Sequence, residues 1–357
     1  MVKKFEIPKD RRYLMSRMGD ISQLAGCKRY EFIDGKAKGV EAVDFKTGSG
    51  FNFTVLPGRG MDIAWAEYKG LPISYMSKTG ITAPAFYEPE GLNWLRSFFA
   101  GLLTTCGLSN VGWPSKHESS ILGEIKHGLH GRISNCPAEN VCVKQGWEDD
   151  DFHMSVSGQM REAMLHEENM VIEREISTSL GAKAIKLSDR IENLGFEAKP
   201  LMLLYHINFG YPLLDQGSKI VCRSQNIETK HGQVSGDDFS EIQAPSRRAK
   251  EKVYFHDLTS NEDDTCFVAI VNKKLEFGAY IKFNKLQLPK FTQWKQLSEA
   301  EYVTGLEPGN CIPIGLDEWR NKGDIEILEP GERKNIDIEI GLLTDNEEIS
   351  NFEKIIS

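Results

Sequence analysis

The chain lacks the cysteine and basic-residue patterns that mark several common classes of protein. Among its 357 residues there are seven cysteines, an odd number, and no two of them have C-x-x-C spacing. This pattern argues against a disulfide framework or a zinc knuckle and favours reduced thiols in a reducing compartment. The net charge is −9, and Glu251 interrupts the basic cluster that runs from Arg247 to Lys252. We expect no nucleic-acid partner, because phosphate contacts need clustered Lys and Arg.

Long apolar stretches are also missing. No apolar run approaches the roughly 20 residues that a membrane-spanning helix needs. Residues Met1 to Arg12 are charged and lack the apolar region of a signal peptide. The glycine motif G-x-G-x-x-G after a strand, the P-loop and the H-E-x-x-H motif are absent as well. These absences predict a cytoplasmic protein with no membrane partner and exclude the usual nucleotide and zinc-protease motifs.

Strand patterns fill most of the chain. Four pairs of alternating segments flank turn-forming residues and predict β-hairpins: 40–44 with 51–55, 171–179 with 184–192, 265–271 with 277–283, and 324–328 with 335–342. Helical signals are confined to three short segments: 21–25, 92–103 and 347–356. Because β and α segments do not alternate, a doubly wound sheet is excluded. The pattern predicts an all-β protein, a large antiparallel sandwich.

No low-complexity linker or fixed-period repeat divides the chain. We expect residues 1–39 to form an N-terminal extension packed on one domain that spans residues 40–357. The polar segment 230–252 lacks periodicity and is interpreted as a long excursion or lid rather than a domain boundary.

One buried-strand pattern carries polar residues. In the apolar run 201–212, His206 and Asn208 are two residues apart and therefore point to the same face of the strand. Leu204 lies on that face, whereas Tyr205 and Ile207 point to the other. Two buried polar side chains on one face are compatible with satisfied core residues or with a lined pocket.

A second segment, 126–132, places His130 between glycines. Glycines let a backbone approach another group closely, which would suit a ligand contact. His127 lies three residues earlier, but in an extended segment that spacing puts the two rings on opposite faces, so they do not converge on a metal. A surface turn with two incidental histidines is the alternative.

Further polar candidates stand in apolar surroundings. Glu307 ends a strand-like run before Pro308, at a position typical of catalytic groups. Trp294 and Lys295 precede it. Arg59 lies between two glycines and either contacts a ligand or pairs with Asp62.

Arg96 lies in an aromatic setting, Asn93-Trp-Leu-Arg96-Ser-Phe-Phe. It is either a ligand contact or a surface residue whose apolar stem packs against neighbouring rings.

Taken in order, these segments resemble the galactose mutarotase (aldose 1-epimerase) superfamily. The resemblance spans roughly residues 40–343 and rests on four short motifs: Gly58-Arg59-Gly60-Met61-Asp62-Ile63, Leu129-His130-Gly131, Tyr205-His206-Ile207-Asn208-Phe209-Gly210, and Leu306-Glu307-Pro308. It places the chain in a divergent branch, since the pattern around the acid histidine and the segments 140–168 and 230–252 depart from the family. The implied fold is a single β-supersandwich with a carbohydrate cleft.

The resemblance also implies a chemistry. Glu307 would be the general base that takes the proton of the C1 hydroxyl, His206 the general acid at the ring oxygen, and His130 a second histidine there. Arg59, Arg96, Asn208, Trp294 and Lys295 are the candidate substrate contacts. The reaction requires no cofactor and no metal. The expected partner is a small carbohydrate, with a homodimer as a possible assembly.

Three alternatives stay open on the sequence. One is a different isomerase, epimerase or lyase on the same fold, whose anionic substrate Arg59, Arg96 or Lys295 would serve. Another is a sugar-binding module without catalysis. The third is a metalloenzyme that uses His127, His130, His206 and Glu307.

Overall fold

We analysed a computed structural model of the chain, which describes residues 7–8, 10–229, 232–233 and 238–356. Strands dominate it, and in chain order they are β1 (Gly26–Glu31), β2 (Glu41–Lys46), β3 (Phe51–Leu56), β4 (Asp62–Tyr68), β5 (Leu71–Pro72), β6 (Tyr75–Met76), β7 (Ala100–Gly101), β8 (Leu103–Leu108), β9 (Ser115–Ser119), β10 (Gly123–His127), β11 (Glu139–Glu148), β12 (Asp151–Ala163), β13 (Asn169–Ser179), β14 (Ala184–Asn193), β15 (Lys199–Gly210), β16 (Lys219–Cys222), β17 (Ser224–Thr229), β18 (Gly232–Gln233), β19 (Lys252–Leu258), β20 (Thr265–Asn272), β21 (Phe277–Asn284), β22 (Lys290–Ser298), β23 (Glu301–Gly309), β24 (Glu326–Leu328) and β25 (Arg333–Leu343).

Helices are short and lie at the periphery. The α-helices are α1 (Arg11–Met15), α2 (Leu316–Lys322) and α3 (Asn346–Ile356), and the 3₁₀ turns are Ile21–Gln23, Gly35–Ala37, Pro84–Phe86, Asn93–Arg96 and Ile133–Asn135. The described residues include no helix that is long and apolar enough to cross a membrane.

Two large antiparallel sheets make up the sandwich. In the described part of the chain, the larger sheet has 13 strands, with the order β1-β2-β3-β4-β8-β15-β23-β22-β19-β17-β18 and with β5 and β24 paired at its side. The smaller has eight strands, in the order β11-β12-β13-β14-β25-β21-β20-β16. The all-β antiparallel sandwich predicted from the sequence is confirmed. The larger sheet begins with Gly26, so part of the segment 1–39 is itself a strand of this sheet.

The larger sheet is buried on both faces near its centre. One face packs on the smaller sheet and contributes Tyr205, Ile207 and Phe209 to the main core. The other face carries a second apolar cluster, which includes Leu204 of the same strand. The alternation of β15 therefore puts odd-numbered residues between the sheets and even-numbered residues, among them His206, on the outer side.

Three of the four predicted hairpins are confirmed by the strand pairs β2–β3, β13–β14 and β20–β21. The fourth is wrong. β24 pairs with the start of β15, whereas β25 pairs with β14 and β21 in the other sheet. The turn at Pro330-Gly331 thus connects two sheets. Turn residues specify a change of chain direction but not the partner of the strand that follows, and β25 finds two long partners in the smaller sheet.

The helical predictions have mixed outcomes. The terminal helix is confirmed as α3, and residues 21–25 contain a single 3₁₀ turn. In the segment 92–103 the helical part is only Asn93–Arg96, because Ala100 and Gly101 adopt positive φ angles of 64° and 67° and lead into β8. Of the predicted excursion 230–252, residues 230–231 and 234–237 lie outside the described residues, as do 1–6 and 9 of the N-terminal segment.

Candidate active site

Three adjacent strands bring the predicted acid and base to one surface. β15 and β23 pair with Ile207 opposite Leu306 and Asn208 opposite Gly305, a register that sets His206 beside Glu307. This surface is the outer, even-numbered face of β15, so the site lies on the side away from the smaller sheet. The face that the period-two pattern predicted for His206 and Asn208 is confirmed.

On the other side of β23, strand β22 continues the same surface. Its pairing sets Thr292 opposite Glu307 and Trp294 opposite Gly305. Residues opposite each other in an antiparallel pair share a face, so Thr292 and Trp294 lie on the same surface as His206 and Glu307, which we call the cleft floor.

His206 and Glu307 form a buried pair. His206 Nε2 lies 3.2 Å from Glu307 Oε1, and the two residues are only 5% and 2% exposed. Neither Glu307 Oε1 nor His206 Nδ1 has a hydrogen-bond partner among the described residues. The two groups are therefore within ion-pair distance but keep polar atoms without a protein partner, an arrangement that buried side chains seldom show without a bound water, ion or ligand.

The surroundings keep this pair uncharged in the absence of a ligand. Burial raises the pKa of the Glu307 carboxyl well above its usual range, and the negative charge of Glu251 raises it further. Burial lowers the pKa of His206 to about 4, while the Asn208 side chain partly offsets this effect. A dry site disfavours the charged form of each group, so the single proton of the pair rests on the carboxyl.

His130 completes a group of three polar side chains. Its ring centroid lies 6.0 Å from that of His206, in an edge-to-face arrangement. Gly112 N donates a hydrogen bond of 3.3 Å to His130 Nδ1, which leaves the ring proton on Nε2. Burial and the neighbouring His206 lower the pKa of His130 to about 3. His130 is thus a neutral hydrogen-bond donor at neutral pH.

The glycines around His130 have a different function from the one expected. A Cβ atom on Gly128 would lie 2.1 Å from Pro89 O, and one on Gly131 would lie 2.3 Å from Gly107 O. Both glycines therefore allow close packing of the protein's own backbone. They fix the loop on which His130 adopts a positive φ of 58°.

Aromatic rings surround the polar pair. Phe98 and Trp294 lie edge-on to His206 at centroid distances of 5.3 and 5.4 Å, and Trp94 lies 4.8 Å from His130. Cavities of about 520 and 280 Å³ elsewhere in the described structure, one beside Glu173 and one beside His117, are not lined by His206 or Glu307. The aromatic rings of Phe98, Trp294 and Trp94 therefore form the apolar surroundings of the two histidines.

Trp294 is held by a residue that the sequence did not single out as a candidate. Its Nε1 donates a hydrogen bond of 3.0 Å to Glu251 Oε2. Glu251 lies at the end of the long segment 230–252, which supports the interpretation of the described part of that segment as a cover over the cleft. Glu251 could not be identified from the sequence, because its contact with Trp294 joins residues that are 43 positions apart in the chain.

Two predicted substrate contacts are engaged in the protein itself. Arg59 is 1% exposed, and its guanidinium donates to the backbone oxygens of Ser134, Thr82 and Ser97. It forms no ion pair with Asp62 among the described residues; the partner of Asp62 is Arg174. Arg59 therefore holds loops together, with a hydrogen bond from each of its three nitrogens to a backbone oxygen.

Lys295 points away from the cleft. It pairs with Thr304 and so lies on the face of β22 opposite to Trp294. Its Nζ donates to the backbone oxygens of Asp238 and Glu241, and burial lowers its pKa to about 8. The prediction that both Trp294 and Lys295 line one site is wrong, because adjacent residues of a strand face opposite sides.

The remaining predicted contacts differ in exposure. Asn208 is buried, donates 2.9 Å to the backbone oxygen of His206, and has an unpaired Oδ1 among the described residues. Arg96 is largely exposed on its 3₁₀ turn and donates to Asn93 Oδ1. Asn208 thus belongs to the floor, whereas Arg96 lies on the surface.

Thr292 and Gln296 are floor residues that the sequence analysis missed. Thr292 Oγ1 and Gln296 Oε1 are buried and have no partner in the described part of the chain. Both share the face of Trp294, at spacings of two residues. The period-two pattern around Trp294 could have identified them.

The histidines do not assemble a metal site in the residues that the structure describes. No group of three or more His, Cys, Asp or Glu side chains is placed to hold an ion there. His127 Nε2 lies 2.8 Å from His117 Nδ1, and so turns away from His130, as its spacing predicted.

Comparison with known proteins gives the family. The model of a family described as "Domain of unknown function (DUF4432)" matches residues 37–342. The chain belongs to the DUF4432 family. A search of curated proteins found no match to this DUF4432 protein.

Solved structures show the fold. A protein of Klebsiella pneumoniae subsp. pneumoniae MGH 78578, provisionally described as an aldose 1-epimerase, is similar with a TM-score of 0.83 and 24% identity, covering 94% of this chain and 89% of that one. A galactose mutarotase-like protein of Clostridium acetobutylicum has a TM-score of 0.61 and 13% identity, over 90% and 99%. A galactose 1-epimerase of Lactobacillus acidophilus NCFM has a TM-score of 0.60 and 10% identity, over 89% and 98%. The resemblance stated from the sequence is confirmed for the fold: this DUF4432 protein has the β-sandwich fold of these galactose mutarotase-like structures.

Proposed function

We propose that this protein is an isomerase of the aldose 1-epimerase type, which interconverts the anomers of a free sugar. The observation that carries the proposal is the buried pair of His206 Nε2 and Glu307 Oε1, 3.2 Å apart, with unpaired polar atoms around it in the described structure. A ring hemiacetal offers hydroxyl groups that would complete those atoms, and the aromatic rings above offer an apolar face.

The chemistry needs one proton in the pair. Transfer of that proton from Glu307 to His206 gives a carboxylate and an imidazolium, and the hydroxyls of a bound sugar would stabilise these charges. Glu307 then takes the proton of the C1 hydroxyl while His206 protonates the ring oxygen, and the bond from C1 to the ring oxygen breaks. His130 donates a hydrogen bond through Nε2. After rotation about the C1–C2 bond, the same steps in reverse close the ring on the other face.

The cleft favours a neutral sugar. Of the three cations that could serve an anionic substrate, Arg59 and Lys295 donate to backbone oxygens, and Arg96 lies exposed on its 3₁₀ turn. This weighs against the alternative of an epimerase for a sugar acid or a sugar phosphate. We accordingly propose that the cleft takes a neutral carbohydrate without a cofactor.

Anomer exchange measured by NMR tests the proposal. A panel of neutral, acidic and phosphorylated aldoses is equilibrated with the protein, and exchange between the two C1 proton signals is compared with the protein-free rate. We expect acceleration for at least one neutral sugar, loss of most of it in His206→Gln, and no loss in His153→Gln, which changes an exposed histidine. Sugar binding without acceleration would instead identify a binding module, and activity only with anionic sugars would contradict the assignment of the cleft.

The pH dependence is expected to respond to Glu251. The active pair holds one proton. Activity therefore falls at acid pH, where His206 binds a second proton near its lowered pKa of about 4. Activity also falls at alkaline pH, where the pair loses its remaining proton. The charge of Glu251 raises the pKa of Glu307. Glu251→Gln keeps an acceptor for Trp294 but removes the charge, so the alkaline limb of the rate profile should move to lower pH.

A matched variant checks this pH effect. Glu299 is also exposed and pairs with Arg247, and its replacement by Gln should leave the limb in place. If the alkaline limb of the rate profile stayed unchanged in Glu251→Gln, ionisation of Glu307 would not be what sets that limb.

A further inference from the structure

Gly305 stands at the centre of the cleft floor. It lies on β23 between Asn208 of β15 and Trp294 of β22. A Cβ atom built on it would lie 2.3 Å from Glu307 Oε1 and 3.0 Å from His206 Cε1. Real Cβ atoms do not approach other atoms as closely as 2.3 Å, so the Glu307 carboxyl occupies the space that a side chain at this position would take.

The backbone gives no reason for a glycine here. Gly305 does not have a φ in the left-handed region, unlike Gly107 of the same sheet. Glycine inside a strand is unfavourable, because it loses more conformational freedom on folding and packs no side chain. The neighbouring Gly309 differs, since a Cβ there would lie 2.8 Å from Leu203 O and would collide with backbone.

We propose that Gly305 is a positioning residue, which leaves room for the Glu307 carboxyl to fold back against the ring of His206. Glu307 and Gly305 are two residues apart on one strand, so their side-chain positions share a face. Because residue 305 has no side chain, the Glu307 carboxyl can extend to His206. A side chain at position 305 would force that carboxyl to point elsewhere. The proposal rests on the proposed function for its effect on rate, but its geometric content does not depend on the substrate.

Gly305→Ala is the direct test. Alanine adopts the extended backbone without strain, and its methyl group meets the end of a flexible side chain, so we expect the variant to fold with an unchanged circular dichroism spectrum. The displaced carboxyl should lower kcat for anomer exchange by about 10²-fold, within the range that one acid or base contributes. KM should change little, because most sugar contacts come from other residues.

Gly146 provides the matched control. It lies in β11, has no left-handed φ, and a Cβ there would meet nothing within 4 Å in the described structure. Gly146→Ala should therefore keep wild-type kcat. An equal loss of rate in both variants would overturn the proposal, since it would reflect a general effect of alanine in a strand.

A rescue experiment separates positioning from a loss of structure. Glu307→Asp shortens the side chain by one methylene group and withdraws the carboxyl from the space above residue 305. If the two residues act through that space, Gly305→Ala should lower kcat by about 10²-fold in the wild type but by much less in the Glu307→Asp background. Equal fold-losses in both backgrounds would overturn the proposal.

NMR of the side chains gives a readout that needs no activity. The carboxyl carbon signal of Glu307, assigned by its absence in Glu307→Gln, and the ring nitrogen signals of His206 report the contact between the two groups. Both should shift in Gly305→Ala and remain unchanged in Gly146→Ala. Unchanged signals in Gly305→Ala would refute the positioning function. If the wild type exchanged the anomers of no sugar, the proposed function would fail, and these signals alone would decide the assignment of Gly305.

Discussion

Glu307→Gln is expected to bind sugar almost as well as the wild type and to exchange its anomers about 10² to 10⁴ times more slowly. The amide keeps the size of the side chain and one acceptor oxygen, but it cannot take the proton of the C1 hydroxyl. A group that acts mainly in the transition state contributes to kcat rather than to ground-state affinity. The measurements are sugar affinity by calorimetry and anomer exchange by NMR on the same variant.

The same substitution should raise the free energy of unfolding at neutral pH. Burial raises the pKa of Glu307, so the wild-type carboxyl must take up a proton when the chain folds, whereas the amide is neutral in both the folded and the unfolded chain. Glu262→Gln, at an exposed position, is the control and should retain full activity. If Glu307→Gln weakened binding while the rate at saturating sugar persisted, Glu307 would be a binding residue and another group would be the base.

Loss of Arg174 is expected to have the largest effect on stability. Its guanidinium forms two hydrogen bonds, of 2.8 and 2.7 Å, with the carboxylate of Asp189. It also donates to Thr105 and lies 3.5 Å from Asp62. The side chains of Arg174, Asp62 and Asp189 are all inaccessible to solvent. Arg174→Met should therefore lower the free energy of unfolding by about 3–5 kcal/mol, because it leaves two buried carboxyls without their cation.

Urea unfolding at several pH values measures this effect. In the variant the folded-state pKa of Asp62 should rise further above its unfolded value, since in the wild type burial already raises it to about 7 against the opposing effect of Arg174. A raised pKa means that stability falls as pH rises, so the loss should be larger at pH 8 than at pH 5. Arg190→Met, which breaks an exposed pair with Glu173, should cost at most about 1 kcal/mol. A comparable loss in both variants would contradict this account.

The parts of the fold that the sequence predicted are those that depend on neighbours along the chain. Hairpins with short turns, such as β13–β14, follow from alternating patterns around a local reversal. The common face of His206 and Asn208 follows from the geometry of a single strand. The pairing partners of β24 and β25 did not follow from the sequence, because a turn does not specify which strand pairs with the segment after it. The choice of partner depends on contacts between residues that are distant in sequence.

The proximity of His206 and Glu307 agrees with their prediction as one site, whereas the residues around them were not predicted. Arg59 and Lys295 suggested ligand contacts because a cation in an apolar segment needs a partner, and the sequence could not show that backbone oxygens of distant loops supply it. Gly305 and Glu251 gave no signal, since their importance arises from the space and charge around Glu307. Such properties appear only when the strands are assembled.

The engagement of Arg59 and Lys295 with backbone oxygens bears on how the cleft would meet its ligand in solution. Both cations keep their positive charge, but their donors are directed at backbone oxygens, and the buried acid and base are neutral when empty. An entering anion would have to compete with those backbone oxygens for the donors of Arg59 and Lys295. Phosphate and sulfate are abundant anions that occupy many sugar-phosphate sites, but here they would compete only weakly with the sugar. The protein would then select unmodified sugars in the presence of their phosphorylated forms.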